Sequence, residues 1–189
     1  MRVMLVDDDG QRLDMLESAL HGAGHEVVAR RKPCDDLLVA ARETRPEIVL
    51  IDVDSPGRDM LESLAQINLN DPMPVALFAA KSDAESIRRA IRAGVCAYVV
   101  DGLSPTRLQA VMEVAIARFA EYQALRRELD DAKSRLRDRK DIDRAKGLLM
   151  ARRNLTEEQA YEQLRKAAMN RNMKIGDASR AVIAAADLL

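Results

Sequence analysis

The feature that most constrains this chain is the stretch from Ser104 to Arg139, which has no Gly and no Pro after its first turn. Ser104 suits an N-cap, and Pro105 suits the first helical position, where its missing N–H costs nothing. About 35 residues at ~1.5 Å each span roughly 50 Å, whereas an ordinary helix averages ~11–12 residues. The early part (Leu108, Val111, Met112, Ala115, Ile116, Phe119) has an apolar face wide enough to cover a core. The later part narrows to Tyr122, Leu125, Leu129, Ala132 and Leu136. Those steps alternate three and four, a heptad seam edged by charges. The helix is therefore expected to leave one domain, continue as a coiled-coil dimerisation linker over 104–139, and divide a regulatory module from an output segment.

The charge is divided the same way. Residues 1–118 carry 14 Lys and Arg against 19 Asp and Glu; residues 140–189 carry 10 against 7. The acidic front suits a cation, and the basic end suits a phosphate backbone. Aromatics make up 3% of the chain and Trp is absent, so stacking on aromatic platforms is not an obvious binding mode. Cys34 and Cys96 have neither metal-like spacing nor a disulfide framework and read as small hydrophobes in a reducing compartment. No stretch is apolar enough to span a membrane and no signal peptide is evident, so a cytoplasmic protein is expected.

Before the long helix, short apolar runs alternate with helical patterns five times. Strands are expected at Met1–Val6, Glu26–Arg30, Ile48–Ile51, Pro74–Phe78 and Cys96–Val100. Helices are expected through Leu13–Leu20, over Asp35–Thr44, over Met60–Ile67 and through Ile87–Ile91, the last opened by a Ser82/Glu85 capping box. This alternation predicts a five-stranded parallel doubly wound α/β sheet, flavodoxin-like in class. Ligands of such sheets bind at the carboxyl ends of the strands. Asp7 and Asp8 follow the first strand, and Asp52 and Asp54 follow the third. The adjacent carboxylates of Asp7 and Asp8 and a third from Asp52 suit a hard divalent cation such as Mg²⁺, and an aspartate beside that ion suits phosphoryl acceptance.

Val6-Asp7-Asp8, Asp52-Val53-Asp54-Ser55-Pro56-Gly57 and the five-fold alternation resemble the receiver domain of bacterial response regulators, over about residues 1–120. The resemblance makes Asp52 the phospho-acceptor position and Asp7 and Asp8 the metal carboxylates, with Asp54 lending a backbone carbonyl to Mg²⁺. Three switch positions depart or are incomplete. Ala79 stands where receivers place a Ser or Thr hydroxyl, and Asp101 stands where they place Lys. Tyr98 keeps the aromatic position but without that hydroxyl as partner. Phosphorylation of Asp52 is therefore expected to be absent, weak or not the main switch.

After Arg139, a helical pattern runs from Lys140 to Arg153 and stops at Asn154. Thr156-Glu157-Glu158-Gln159 caps a second helix, Asn170–Asn172 breaks it, and a third covers Ile175–Asp187. Three short helices make a small core, which dimerisation would support. Its basic residues Lys140, Arg144, Lys146, Arg152, Arg153, Arg165, Lys166, Arg171 and Lys174 are the candidate contacts to a phosphate backbone. Gly147 joins them, because a mid-helix Gly costs ~1 kcal/mol relative to Ala and implies packing or a close backbone approach.

Ile142-Asp143-Arg144-Ala145-Lys146-Gly147-Leu148-Leu149-Met150, Thr156 to Tyr161 and Leu164 to Met169 resemble the ANTAR domain of the AmiR/NasT transcription antitermination regulators, over about 138–189. Ser55-Pro56-Gly57-Arg58-Asp59 and Ala97–Gly102 further resemble that family's nitrate-assimilation branch. The resemblance implies a homodimer that binds tandem hairpins in a leader RNA, prevents terminator formation and is sequestered by a ligand-sensing inhibitory partner. No cofactor is required, and the acidic cluster is a candidate site for Mg²⁺. A duplex-DNA reader fits less well, since no helix-turn-helix is evident. Asp52-Val53-Asp54 also matches the Asp-x-Asp of haloacid-dehalogenase-type phosphatases. No second-step base or phosphate loop accompanies it, so no enzyme is expected.

Overall fold

A computed structural model describes residues 1–100 and 105–186. The chain divides into two compact units, Met1–Gln123 and Ala124–Leu189.

The first unit holds strands β1 (Arg2–Val6), β2 (Glu26–Arg31), β3 (Ile48–Val53), β4 (Val75–Ala79) and β5 (Ala97–Val100). They form one parallel sheet in the order β2-β1-β3-β4-β5. Helices α1 (Gly10–Gly22), α2 (Leu37–Thr44), α3 (Arg58–Asn70) and α4 (Ala84–Arg92) connect them. The sheet is covered on both faces, so its inner strands β3 and β4 are buried along their length and almost wholly apolar. Met4, Val6, Val49, Ile51 and Leu77 pack on one side with α2 and α3. Val3, Leu5, Ile48, Leu50 and Phe78 pack on the other with α1 and Leu108, Met112 and Ala115 of the long helix. The period-two split of each strand assigns its residues to the two cores.

Two details differ from expectation. The third strand does not end at Ile51: Asp52 and Val53 remain in it, paired with Phe78 and Ala79 of β4. The fourth helix is capped by Asp83, whose carboxylate accepts from the Ser86 backbone N–H at 2.7 Å, so the expected Ser82/Glu85 capping box does not form. A carboxylate is the stronger acceptor of an orphan helix donor, which leaves the Ser82 hydroxyl for another partner.

Helix α5 runs unbroken from Pro105 to Arg153. The expected boundary at Arg139 is absent because nothing from Arg139 to Arg153 breaks a helix; the turn comes at Asn154, which adopts a left-handed conformation at φ 51°. In the second unit, α6 (Glu157–Asn170) opens on the expected capping box, Thr156 with Gln159. Asn172, also left-handed, precedes α7 (Ile175–Ala186). Ala145, Leu164 and Ile183 meet in a small core with Leu148, Leu149, Ile175 and Val182.

Candidate functional site

The acidic end of the sheet is built by two adjacent strands. β1 pairs with β3 through Val6 and Ile51, so the following residues, Asp7 and Asp52, emerge side by side. Both are buried, at 1% and 3% exposure, while Asp8 and Asp54 are exposed. The Asp54 carbonyl accepts from the Lys81 N–H at 3.1 Å. Ala79 is buried at the end of β4, where it presents only a methyl group. Asp101 and Ser104 lie outside the described residues. Tyr98 does have a hydroxyl partner, though it is not at position 79: the Ser82 and Tyr98 hydroxyls are 2.9 Å apart.

The residue pattern did not single out Arg12. Asp9 is the N-cap of α1, its carboxylate accepting from Gln11 N and Arg12 N, while Asp9 N donates to Asp7 Oδ1 at 2.8 Å. This tight turn sends the Arg12 side chain back over the strand ends. Its Nη2 donates to Asp7 Oδ1 at 2.8 Å, and its Nε lies 3.9 Å from Asp52 Oδ2 and 3.8 Å from Asp9 Oδ2. The hydrogen bond to Asp7, reinforced by the charges of Asp52, Asp7 and Asp9, raises the Arg12 pKa above its ordinary value. Among the described residues, no three His, Cys, Asp or Glu side chains converge as a metal-ligand set.

In the second unit, the candidate basic residues separate into three groups. One group is tied to the fold. Lys146 Nζ bonds Asp143 at 2.8 Å and Glu157 at 2.7 Å. The hydrogen bonds that the ammonium donates to Asp143 and to Glu157 raise the Lys146 pKa, and Lys146 in turn lowers that of Asp143. Arg152 Nη2 donates to the Ala186 carbonyl at 2.9 Å, Arg153 Nη1 to Gln163 at 3.1 Å, and Arg165 pairs with Glu162 at 3.5 Å. Lys166, Arg171 and Lys174 form the second group and are exposed on or beside α6 and α7.

On α5, Lys140, Arg144 and Gly147 are exposed and spaced by four and three residues, so they share one helical face. Arg137 extends that stripe by a further step of three and is exposed as well; helical spacing alone identifies it. The opposite face carries Ala145, which is fully buried. A Cβ built at Gly147 would meet nothing within 4 Å, so no neighbour among the described residues accounts for that glycine. Gly176 contrasts with it: a Cβ there would collide with the Asp138 carboxylate. Asp138, Asp141 and Asp177 all bond the Arg180 guanidinium, at 2.8, 3.0 and 2.6 Å. This cluster docks α7 against α5, and the motif reading missed it because its residues are far apart in sequence.

The seam positions Tyr122, Leu125, Leu129 and Leu136 are more than half exposed, between 53% and 58%, and Ala132 is exposed too. No helix among the described residues is long and apolar enough to cross a membrane.

Two family models match the chain: the response regulator receiver domain over residues 3–113 and the ANTAR domain over residues 130–183. The transcriptional regulatory protein PdtaR of Mycobacterium tuberculosis is 33% identical over 171 residues, covering 90% of this chain and 83% of that protein. The DNA-binding response regulator MtrA of Mycobacterium leprae is 26% identical, covering 62% of this chain and 52% of its own length. A CheY-like receiver domain from Methanospirillum hungatei superposes with a TM-score of 0.55 at 21% identity, covering 64% of this chain and 97% of that domain. A receiver domain of a modulated diguanylate cyclase from Desulfovibrio desulfuricans gives 0.54 at 22%, covering 64% of this chain and 97% of that domain. These two likenesses concern the fold of the first unit alone.

Proposed function

The chain belongs to the response regulators that join a receiver domain to a C-terminal ANTAR domain, a family of regulators rather than enzymes, and from that premise we propose that it is a transcription antiterminator acting on leader RNA in the cytoplasm. Its ANTAR unit binds tandem hairpins and keeps the overlapping terminator from forming. The observation that carries this reading is the exposed stripe of Arg137, Lys140 and Arg144 ending at Gly147. Three cations neutralise phosphates, and a glycine with open space above it lets a phosphate backbone approach the helix closely. Hairpin loops expose base edges that the A-form stem hides, and Tyr161, 44% exposed on α6, offers one ring for stacking. The tied residues, Lys146 foremost, position the helices around this surface.

Two copies pair through the exposed seam of Tyr122, Leu125, Leu129, Ala132 and Leu136, presenting two ANTAR units to two hairpins. The Ser55–Asp59 and Ala97–Gly102 resemblances support nitrate and nitrite assimilation genes as targets. Ala79 brings no hydroxyl to the acyl-phosphate position, which supports control of the receiver by a ligand-sensing inhibitory partner rather than by phosphorylation of Asp52.

The test is single-round transcription through a leader that places tandem hairpins before a terminator. Added protein is expected to raise read-through, and replacing the loop bases is expected to abolish the effect. Read-through that is indifferent to the loops would overturn the proposal.

A further inference from the structure

We infer that Arg12 is a built-in cation that replaces the divalent metal ion at the acidic end of the receiver sheet. The inference is independent of what the ANTAR unit binds.

Mg²⁺ shared by Asp7 and Asp52 would need carboxylate oxygens of both at ~2.0–2.1 Å, in near-octahedral geometry. The Arg12 guanidinium lies between the same two side chains, with Nη2 at 2.8 Å from Asp7 Oδ1 and Nε at 3.9 Å from Asp52 Oδ2. A metal bridging those oxygens would have to displace it. The arrangement is fixed by the sequence around it. Asp9 caps α1 through the Arg12 N–H itself and receives the same guanidinium at 3.8 Å. Asp7 Oδ1 is held from a second direction by the Asp9 N–H. Arg12 therefore contacts three carboxylates while its own backbone is pinned by one of them.

The charges favour the same conclusion. Asp7 and Asp52 are almost fully buried and bring two negative charges. Burying a carboxylate is costly unless it is paired, and Arg12 supplies a counter-charge that need not be captured from solution. Asp8, the other expected metal carboxylate, is exposed and joins no convergent ligand set among the described residues. Among the described residues, the buried atoms Asp7 Oδ2 and Arg12 Nε find no hydrogen-bond partner. Asp7 Oδ2 is where a small cation would first bind if Arg12 could swing aside, and the experiment is aimed at that competition.

Thermal unfolding of the full-length protein is followed from EDTA into millimolar MgCl2, with NaCl of matched ionic strength as control. Wild type is expected to show no Mg²⁺-specific rise in Tm. Arg12→Ala is expected to melt lower in EDTA and to gain a saturable rise with MgCl2 that NaCl does not give. Arg12→Gln, which keeps a donor for Asp7 but loses the charge, is the second variant and is expected to respond likewise. A saturable Mg²⁺ response of the wild type would overturn the inference, and it can be read even if both variants fail to fold. Folded variants that ignore Mg²⁺ would overturn it too, since removing the guanidinium would then have uncovered no metal site.

Discussion

The Tyr98 hydroxyl bonds Ser82 at 2.9 Å, tying β5 to the loop before α4. Ser82 is available for this because Asp83, next to it, took the helix cap. Truncating either hydroxyl is expected to cost about 0.5–1 kcal/mol, the low end for an exposed hydrogen bond. Ser82→Ala and Tyr98→Phe should be non-additive in a double-mutant cycle by urea unfolding; strictly additive losses would show that the bond contributes nothing. At this scale the sequence was only partly legible. Asp7 and Asp52 could be placed because strand ends follow from apolar runs. Ser82 and Arg12 could not, because the direction of a hydroxyl or a long flexible side chain depends on neighbours brought together by the fold. The one advance sign of Arg12 was its position three residues after a capping aspartate.

Among the elements, the two glycines of the second unit separate packing from approach. Gly176 faces Asp138, which Arg180 holds in place, so Gly176→Ala is expected to destabilise by about 1–3 kcal/mol through overpacking. Gly147 faces open space, so Gly147→Ala is expected to stabilise α5 by up to ~1 kcal/mol while weakening RNA binding. Thermal unfolding and RNA titration of both variants check this, and full RNA affinity in Gly147→Ala would remove the glycine from the interface. The strand–helix alternation and the Thr156 capping box were legible because each is a local pattern. Helix α5 was less so. Its heptad seam and the ANTAR motif suggested two helices meeting near Arg139, whereas the backbone has no reason to stop before Asn154.

The whole molecule joins an acidic receiver, whose buried carboxylates are met by its own arginine, to a basic helical unit through one unbroken helix. The seam on that helix is exposed in a single chain, and burying it against a second copy would contribute roughly 25 cal/mol per Å² of apolar surface. A charge at its centre, Leu129→Asp, is therefore expected to give a monomer by sedimentation and to lose the advantage of two linked sites. The architecture was readable from sequence because each module carries its own periodicity. The internal ties of the basic residues were not, since pairs such as Lys146–Glu157 and Arg152–Ala186 form only once the three helices meet.

The most direct test of the account is titration of full-length protein with a tandem-hairpin leader RNA and with duplex DNA across a salt series. Preference for the RNA, loss of affinity on loop-base replacement, and weaker binding by Leu129→Asp are expected. So is a linear fall of log affinity with log salt that becomes shallower when Lys140 or Arg144 is replaced by Ala. Equal affinity for duplex DNA, with no response to the loops, would contradict the account and reduce the stripe on α5 to a general electrostatic surface.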